Sequence, residues 1–158
     1  ARSIFRIIEN DLYGIIASVP GGTQSELFQG TENKVRFLTN EINDAIVAIE
    51  YQRNNTTGEL ERYRLETDSS NPVSALTFDD SDIIGENVTA FSLRYYGGQH
   101  SHYHLTDFDV EWPSNAVQPI DSPDSEMPKA VLVTMRIVDQ KYPNIEETFT
   151  RLFALRNR

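Results

Sequence analysis

The sequence contains no cysteine, which excludes a disulfide framework, a cysteine nucleophile and cysteine-ligated metal. It also lacks a run of about 18 apolar residues, the length that a membrane-spanning helix needs. Basic residues are few, since 14 Lys and Arg stand against 24 Asp and Glu, and the net charge is -10. This acidity argues against a nucleic-acid surface and against docking on anionic lipid head groups.

Common enzyme signatures are missing as well. There is no Gly-x-Ser-x-Gly elbow and no phosphate-binding Gly-rich loop after a strand. Pairs of carboxylates occur, but an acidic chain produces such pairs by chance, so none predicts an acid–base site. We therefore expect no enzymatic activity, no catalytic residues and no required cofactor.

The clearest pattern lies in the first 19 residues. Ile4, Ile8, Leu12 and Ile15 recur at the spacing of one helical face, with Tyr13 widening that stripe. The pattern predicts an N-terminal amphipathic helix over residues 1–19. No capping Ser, Thr, Asp or Asn precedes it, which favours a chain cut from a longer helix.

The rest of the chain reads as strands, in a β-rich region over residues 33–156. Asn-Asn-Thr-Thr-Gly at 54–58 is a strong turn signal between two runs of β-forming residues, so it predicts a hairpin. The predicted strands are 34–39, 45–52, 60–67, a short run at 75–78, 88–96, alternating residues from 108 to 112, 130–138 and 147–155. We expect a single α+β domain over residues 1–158, with the helix packed on antiparallel sheet.

Two groups of residues suggest ligand binding. His100, His102 and His104 alternate, so in an extended segment their imidazoles could converge on zinc. Asp80 and Asp82 open a stretch that begins like a calcium loop but lacks its later ligands. A metal- or carbohydrate-binding β-module, the latter using Trp112, is therefore an alternative function. An exposed polar connection remains the other interpretation of the histidine segment.

Three stretches resemble a known family. Glu9-Asn10-Asp11-Leu12 is similar to the region just past the membrane anchor of type IV pilin-like proteins. Residues 85–95, followed by Trp112-Pro113, resemble a strand motif of the minor pseudopilins of bacterial type II secretion, most closely their J subunit. Residues 127–135 and 149–156 are similar to the closing hairpin of that family.

The resemblance implies a pilin-like fold and a structural role at the tip of a pseudopilus, the filament that serves protein export. The partners would be the I-type and K-type minor pseudopilins, and the membrane would be met only through an N-terminal anchor absent from this chain. The domain would face the periplasm from the bacterial inner membrane. A minor pilin of a type IV pilus or DNA-uptake filament is the closest alternative. The expected assembly contacts lie on the outer helix face: Ser3, Arg6, Ile7, Asn10 and Gly14.

Overall fold

A computed structural model describes residues 1–16, 27–68, 71–97, 108–112 and 127–155. One α-helix opens this part of the chain, α1 (Arg2–Tyr13), and a single 3-10 turn (Val73–Ala75) lies further on. The strands are β1 (Phe28–Gly30), β2 (Lys34–Asn40), β3 (Ile46–Arg53), β4 (Leu60–Glu66), β5 (Ser81–Gly85), β6 (Val88–Tyr96), β7 (Phe108–Asp109), β8 (Ala130–Val138) and β9 (Glu146–Ala154).

The strands form two antiparallel sheets. Sheet A has the order β1-β2-β3-β4-β5 and sheet B the order β7-β6-β8-β9. Each pairing within β1 to β5 joins neighbours in sequence, whereas β6 pairs with β8 across a long connection. One apolar core takes side chains from α1 and from both sheets, including Leu12, Phe37, Leu93 and Met135.

The predicted α+β, pilin-like fold with a helix over residues 1–19 is wrong. Strand makes up 51% of the described chain and helix 13%, arranged as two sheets with one short helix. The helix ends at Tyr13 because Gly14 turns the chain, and its carbonyl accepts a hydrogen bond from the Asn40 N–H at 2.8 Å. Ile15 then bridges to Thr39 of β2, so its side chain is buried from an extended backbone.

Most of the strand predictions are confirmed. The hairpin of β3 and β4 turns at 54–58, where Gly58 has a φ of +74°, and β8 pairs with β9 over their whole length. The strand predicted at 75–78 is wrong, because the 3-10 turn occupies its start. Two strands, β1 and β5, were not predicted. The residues 17–19 of the predicted helix lie outside the described part.

The two sheets meet at a glycine. A Cβ on Gly30 of β1 would overlap the ring of Tyr95 of β6, so only glycine leaves room for that ring. The Tyr95 hydroxyl donates to the Thr31 carbonyl at 2.7 Å, and the Leu93 N–H donates to the Glu32 carbonyl at 2.8 Å. Trp112 exchanges two backbone hydrogen bonds with Gly30, both of 2.8 Å. These contacts tie the edge of sheet A to sheet B.

Candidate assembly surface

Helix α1 is fixed to both sheets by its apolar face. Ile4, Phe5, Ile8 and Leu12 recur at helical spacing and are all buried. The ring centroid of Phe5 lies 6.1 Å from that of Phe153 on β9. Ile4 lies against Gly85 of β5, where a Cβ would come within 2.7 Å of the Ile4 Cδ1. The position of the helix is therefore set by packing on both sheets.

A polar network then fastens the last turn of α1 to sheet A. Arg62 of β4 donates from Nε to Asp11 Oδ2 at 2.7 Å and from Nη2 to Oδ1 at 2.8 Å. The Tyr51 hydroxyl donates to the same carboxylate, and Thr39 Oγ1 donates to the Asp11 carbonyl at 2.8 Å. This bidentate geometry fixes the helix in rotation as well as in position.

The electrostatics of the network follow from this arrangement. The hydrogen-bonded Asp11 carboxylate raises the pKa of Arg62 above its ordinary value. Burial raises the pKa of Tyr51, and the negative charge of Asp11 raises it further. Both side chains therefore stay protonated well above neutral pH and remain hydrogen-bond donors to Asp11.

The opposite face of α1 is open. Ser3, Arg6 and Asn10 are exposed, and none of their side chains forms a hydrogen bond or an ion pair with another described residue. Arg2, one turn before Arg6, is likewise exposed and unpaired in the part of the chain that the structure describes. Two free cations on one helix face of a protein with a net charge of -10 form a surface suited to an acidic partner.

Two of the residues expected on the exposed helix face, Ile7 and Gly14, are partly buried instead. Ile7 is partly buried and packs against the core. Gly14 is also partly buried, since a Cβ there would lie 2.6 Å from the Asn40 carbonyl oxygen. Tyr13, expected on the apolar stripe, is instead 65% exposed. The face thus consists of Arg2, Ser3, Arg6, Asn10 and Tyr13, and helical spacing from Arg6 could have identified Arg2.

A cleft of about 350 Å³ separates the end of α1 from β9. Its walls come from Glu9, Leu12 and Tyr13 on the helix and from residues 151–154 on the strand. Arg151 Nη2 lies 3.0 Å from Glu9 Oε2, and its guanidinium covers the Phe153 ring at 5.2 Å. The cleft is therefore a groove of mixed polar and apolar lining that contains one ion pair.

Sheet A also holds a buried ion pair. Glu50 of β3 is 4% exposed in its side chain and accepts from Arg36 Nε of β2 at 3.1 Å, with Lys34 Nζ at 3.9 Å. Arg36 Nη1 donates to the carbonyls of Val73, Ser74 and Leu76 at 3.2 to 3.3 Å. Because these groups are satisfied by the protein itself, we interpret the cluster as a clamp on the 3-10 segment.

The ligand-binding alternatives receive no support from the described residues. His100, His102 and His104 lie outside them, and within them no group of three or more potential metal ligands occurs. Asp80 and Asp82 are exposed at the start of β5. Trp112 is 4% exposed, and Tyr95 and Tyr96 are buried as well, so these rings offer no open face for stacking on a sugar.

Comparisons with known proteins do not assign a family. No family model matches the chain, and no curated protein is similar to it. In the described part of the chain, no helix has the length and apolar character needed to cross a bilayer.

Proposed function

We propose that this chain is a non-enzymatic structural subunit, a minor pseudopilin of a type II secretion pseudopilus. Its exposed α1 face would contact the I-type and K-type minor pseudopilins. The domain would act on the periplasmic side of the bacterial inner membrane. The resemblance of the three sequence stretches named above supports the class of protein, and the geometry of α1 supports the surface.

One observation carries the proposal for the surface. Helix α1 is held by apolar packing and by the Asp11 network, while Arg2, Ser3, Arg6 and Asn10 remain exposed. A binding face whose helix is already fixed loses little conformational entropy on association. The unpaired arginines would attract carboxylates on a partner, which raises the association rate and selects the partner.

The experiment uses I-type and K-type minor pseudopilins of a type II secretion system. The three proteins are mixed, and complex formation is followed by sedimentation velocity. Arg6→Glu inverts the charge on the proposed face, so we expect binding at least about tenfold weaker, since apposed like charges oppose association. Lys141→Glu makes the same charge change in the loop between β8 and β9 and should leave binding unaltered.

The outcomes separate the interpretations. Loss of binding in Arg6→Glu with unchanged thermal stability supports the α1 face. Equal losses in both variants would show that only overall charge matters and would overturn the assignment. If no complex forms with these subunits, while minor pilins of a type IV pilus bind, the secretion role is wrong.

A further inference from the structure

Strand β9 is the outer strand of sheet B. It pairs with β8 on one side, and no described residue pairs with its other side. The strand runs for nine residues without proline or a register shift, either of which would interrupt pairing along an exposed edge. Its three charged residues, Glu146, Glu147 and Arg151, instead limit which strand can pair with it. Among the described residues, its outer side therefore offers a row of backbone groups without a strand partner, to which another strand could pair.

The hydrogen-bond pattern shows which residues face outward. The Leu155 N–H donates to the Lys129 carbonyl at 2.8 Å, and the Asp139 N–H donates to the Ile145 carbonyl at 3.0 Å. Both bonds fit the continuous register of β8 and β9, in which odd-numbered residues of β9 bond to β8. The amides and carbonyls of Thr148, Thr150 and Leu152 consequently point away from the sheet.

The side chains specify what would pair with this edge. In an antiparallel pair of two β9 strands related by a two-fold axis at Phe149, Glu147 of each copy lies opposite Arg151 of the other. Thr148 of each copy then lies opposite Thr150 of the other, so the outward-facing N–H and C=O groups of these two residues can form hydrogen bonds across the pair. Among registers that keep this hydrogen-bond pattern, only this one places Glu147 and Arg151 opposite each other, while Glu146 lies opposite Leu152. We propose that β9 pairs with β9 of a second copy of this chain.

The cleft beside β9 agrees with this arrangement. It lies along residues 151–154, between the strand and the end of α1, and leaves open space beside the side chains of these residues. Arg151 Nη2 already lies 3.0 Å from Glu9 Oε2 of its own chain, so in the pair its guanidinium would meet a second carboxylate, that of the incoming Glu147. The arrangement does not depend on the proposed secretion role, because it uses sheet B and not the outer face of α1.

The test measures mass by sedimentation equilibrium across increasing protein concentration. We expect the average mass of the full chain to rise from 18.0 kDa toward twice that value. Glu147→Arg and Arg151→Glu each place like charges opposite one another, so each variant alone should associate at least about tenfold more weakly. An equimolar mixture of the two variants restores both opposite-charge pairs and should form a heterodimer.

The restoration cannot arise from damage to either variant. A wild type that stays at 18.0 kDa at every concentration would overturn the proposal, and a mixture that remains monomeric would overturn the register. Thr150→Pro supplies an independent readout, since it removes an outward N–H and leaves the backbone hydrogen bonds to β8. It loses the hydroxyl contact with Thr134, and Thr150→Val loses the same contact. Thr150→Pro should abolish association, whereas Thr150→Val, which keeps that N–H, should preserve it.

Discussion

The link between α1 and sheet A rests on the ion pair of Asp11 and Arg62, and a double-mutant cycle can measure it. Asp11→Asn removes the negative charge with little change of shape or helix propensity. It leaves the Arg62 guanidinium, 17% exposed in its side chain, facing a neutral amide. Arg62→Met leaves the carboxylate without its two charged donors. In each variant, one charge stays largely buried without its partner.

The magnitude follows from this burial. Breaking a buried pair by removing one partner costs about 3–5 kcal/mol, and the residual exposure here lowers that to about 2–4 kcal/mol. The double variant removes both charges, so its cost should fall short of the summed single costs by about 1–3 kcal/mol. Against a total stability of about 5–15 kcal/mol, these are large effects.

Urea unfolding gives the free energies, with the fluorescence of the single, buried Trp112 as the probe. Each single variant should lower the urea midpoint by about 1–2 M with an unchanged slope. Arg64→Met, two residues along β4, breaks only exposed pairs, those with Glu41 and Glu66, and should cost at most about 1 kcal/mol. If the double variant costs the sum of the singles, Asp11 and Arg62 do not interact in solution and the proposed link is refuted.

Two further predictions concern the tyrosines. Burial raises the pKa of Tyr51 and of Tyr95, so the folded chain keeps protons that the unfolded chain loses above about pH 10. The contribution of these tyrosines to the free energy of unfolding is therefore full below that pH and falls above it. Replacing either tyrosine by Phe should make this fall shallower by up to about 1.4 kcal/mol per pH unit. Tyr142 is exposed, so Tyr142→Phe should leave the pH dependence of stability unchanged. Gly30→Ala forces a methyl group into the buried Tyr95 ring and should cost about 2 kcal/mol or more in urea unfolding, while Gly97→Ala, 3.3 Å from Trp112, should cost less.

The sequence predicts local features of this fold well. The 54–58 turn and the long apolar runs identify β3, β4, β6, β8 and β9 because their signals lie within a few residues of one another. It fails for β1 and β5, which have three and five residues, and β5 has no buried side chain. Such edge strands are defined by the neighbour to which they bond, and no pattern of their own reveals them.

The end of α1 shows a different limit. Ile15 continues the helical spacing of the apolar stripe, and burial in the core satisfies an isoleucine equally from a helix or from an extended chain. What ends the helix is the close approach of Gly14 to Asn40, a residue 26 positions away. The periodicity therefore predicts that Ile15 is buried, but it cannot distinguish a helical from an extended backbone conformation at that residue.

The buried charged residues, too, depend on contacts with residues far along the chain, which sequence patterns do not reveal. A lone carboxylate on a helix or strand is expected in solvent, since burying a charge costs several kcal/mol unless a partner is present. For Asp11 the partner is 51 residues away, and for Glu50 it lies on the neighbouring strand, opposite Arg36 in the register. Each pair exists only after the sheet has formed. The exposed arginines of α1 need no such partner within the fold. Helical spacing alone therefore predicts that Arg6 lies at the surface, whereas no local pattern predicts the partners of Asp11 and Glu50.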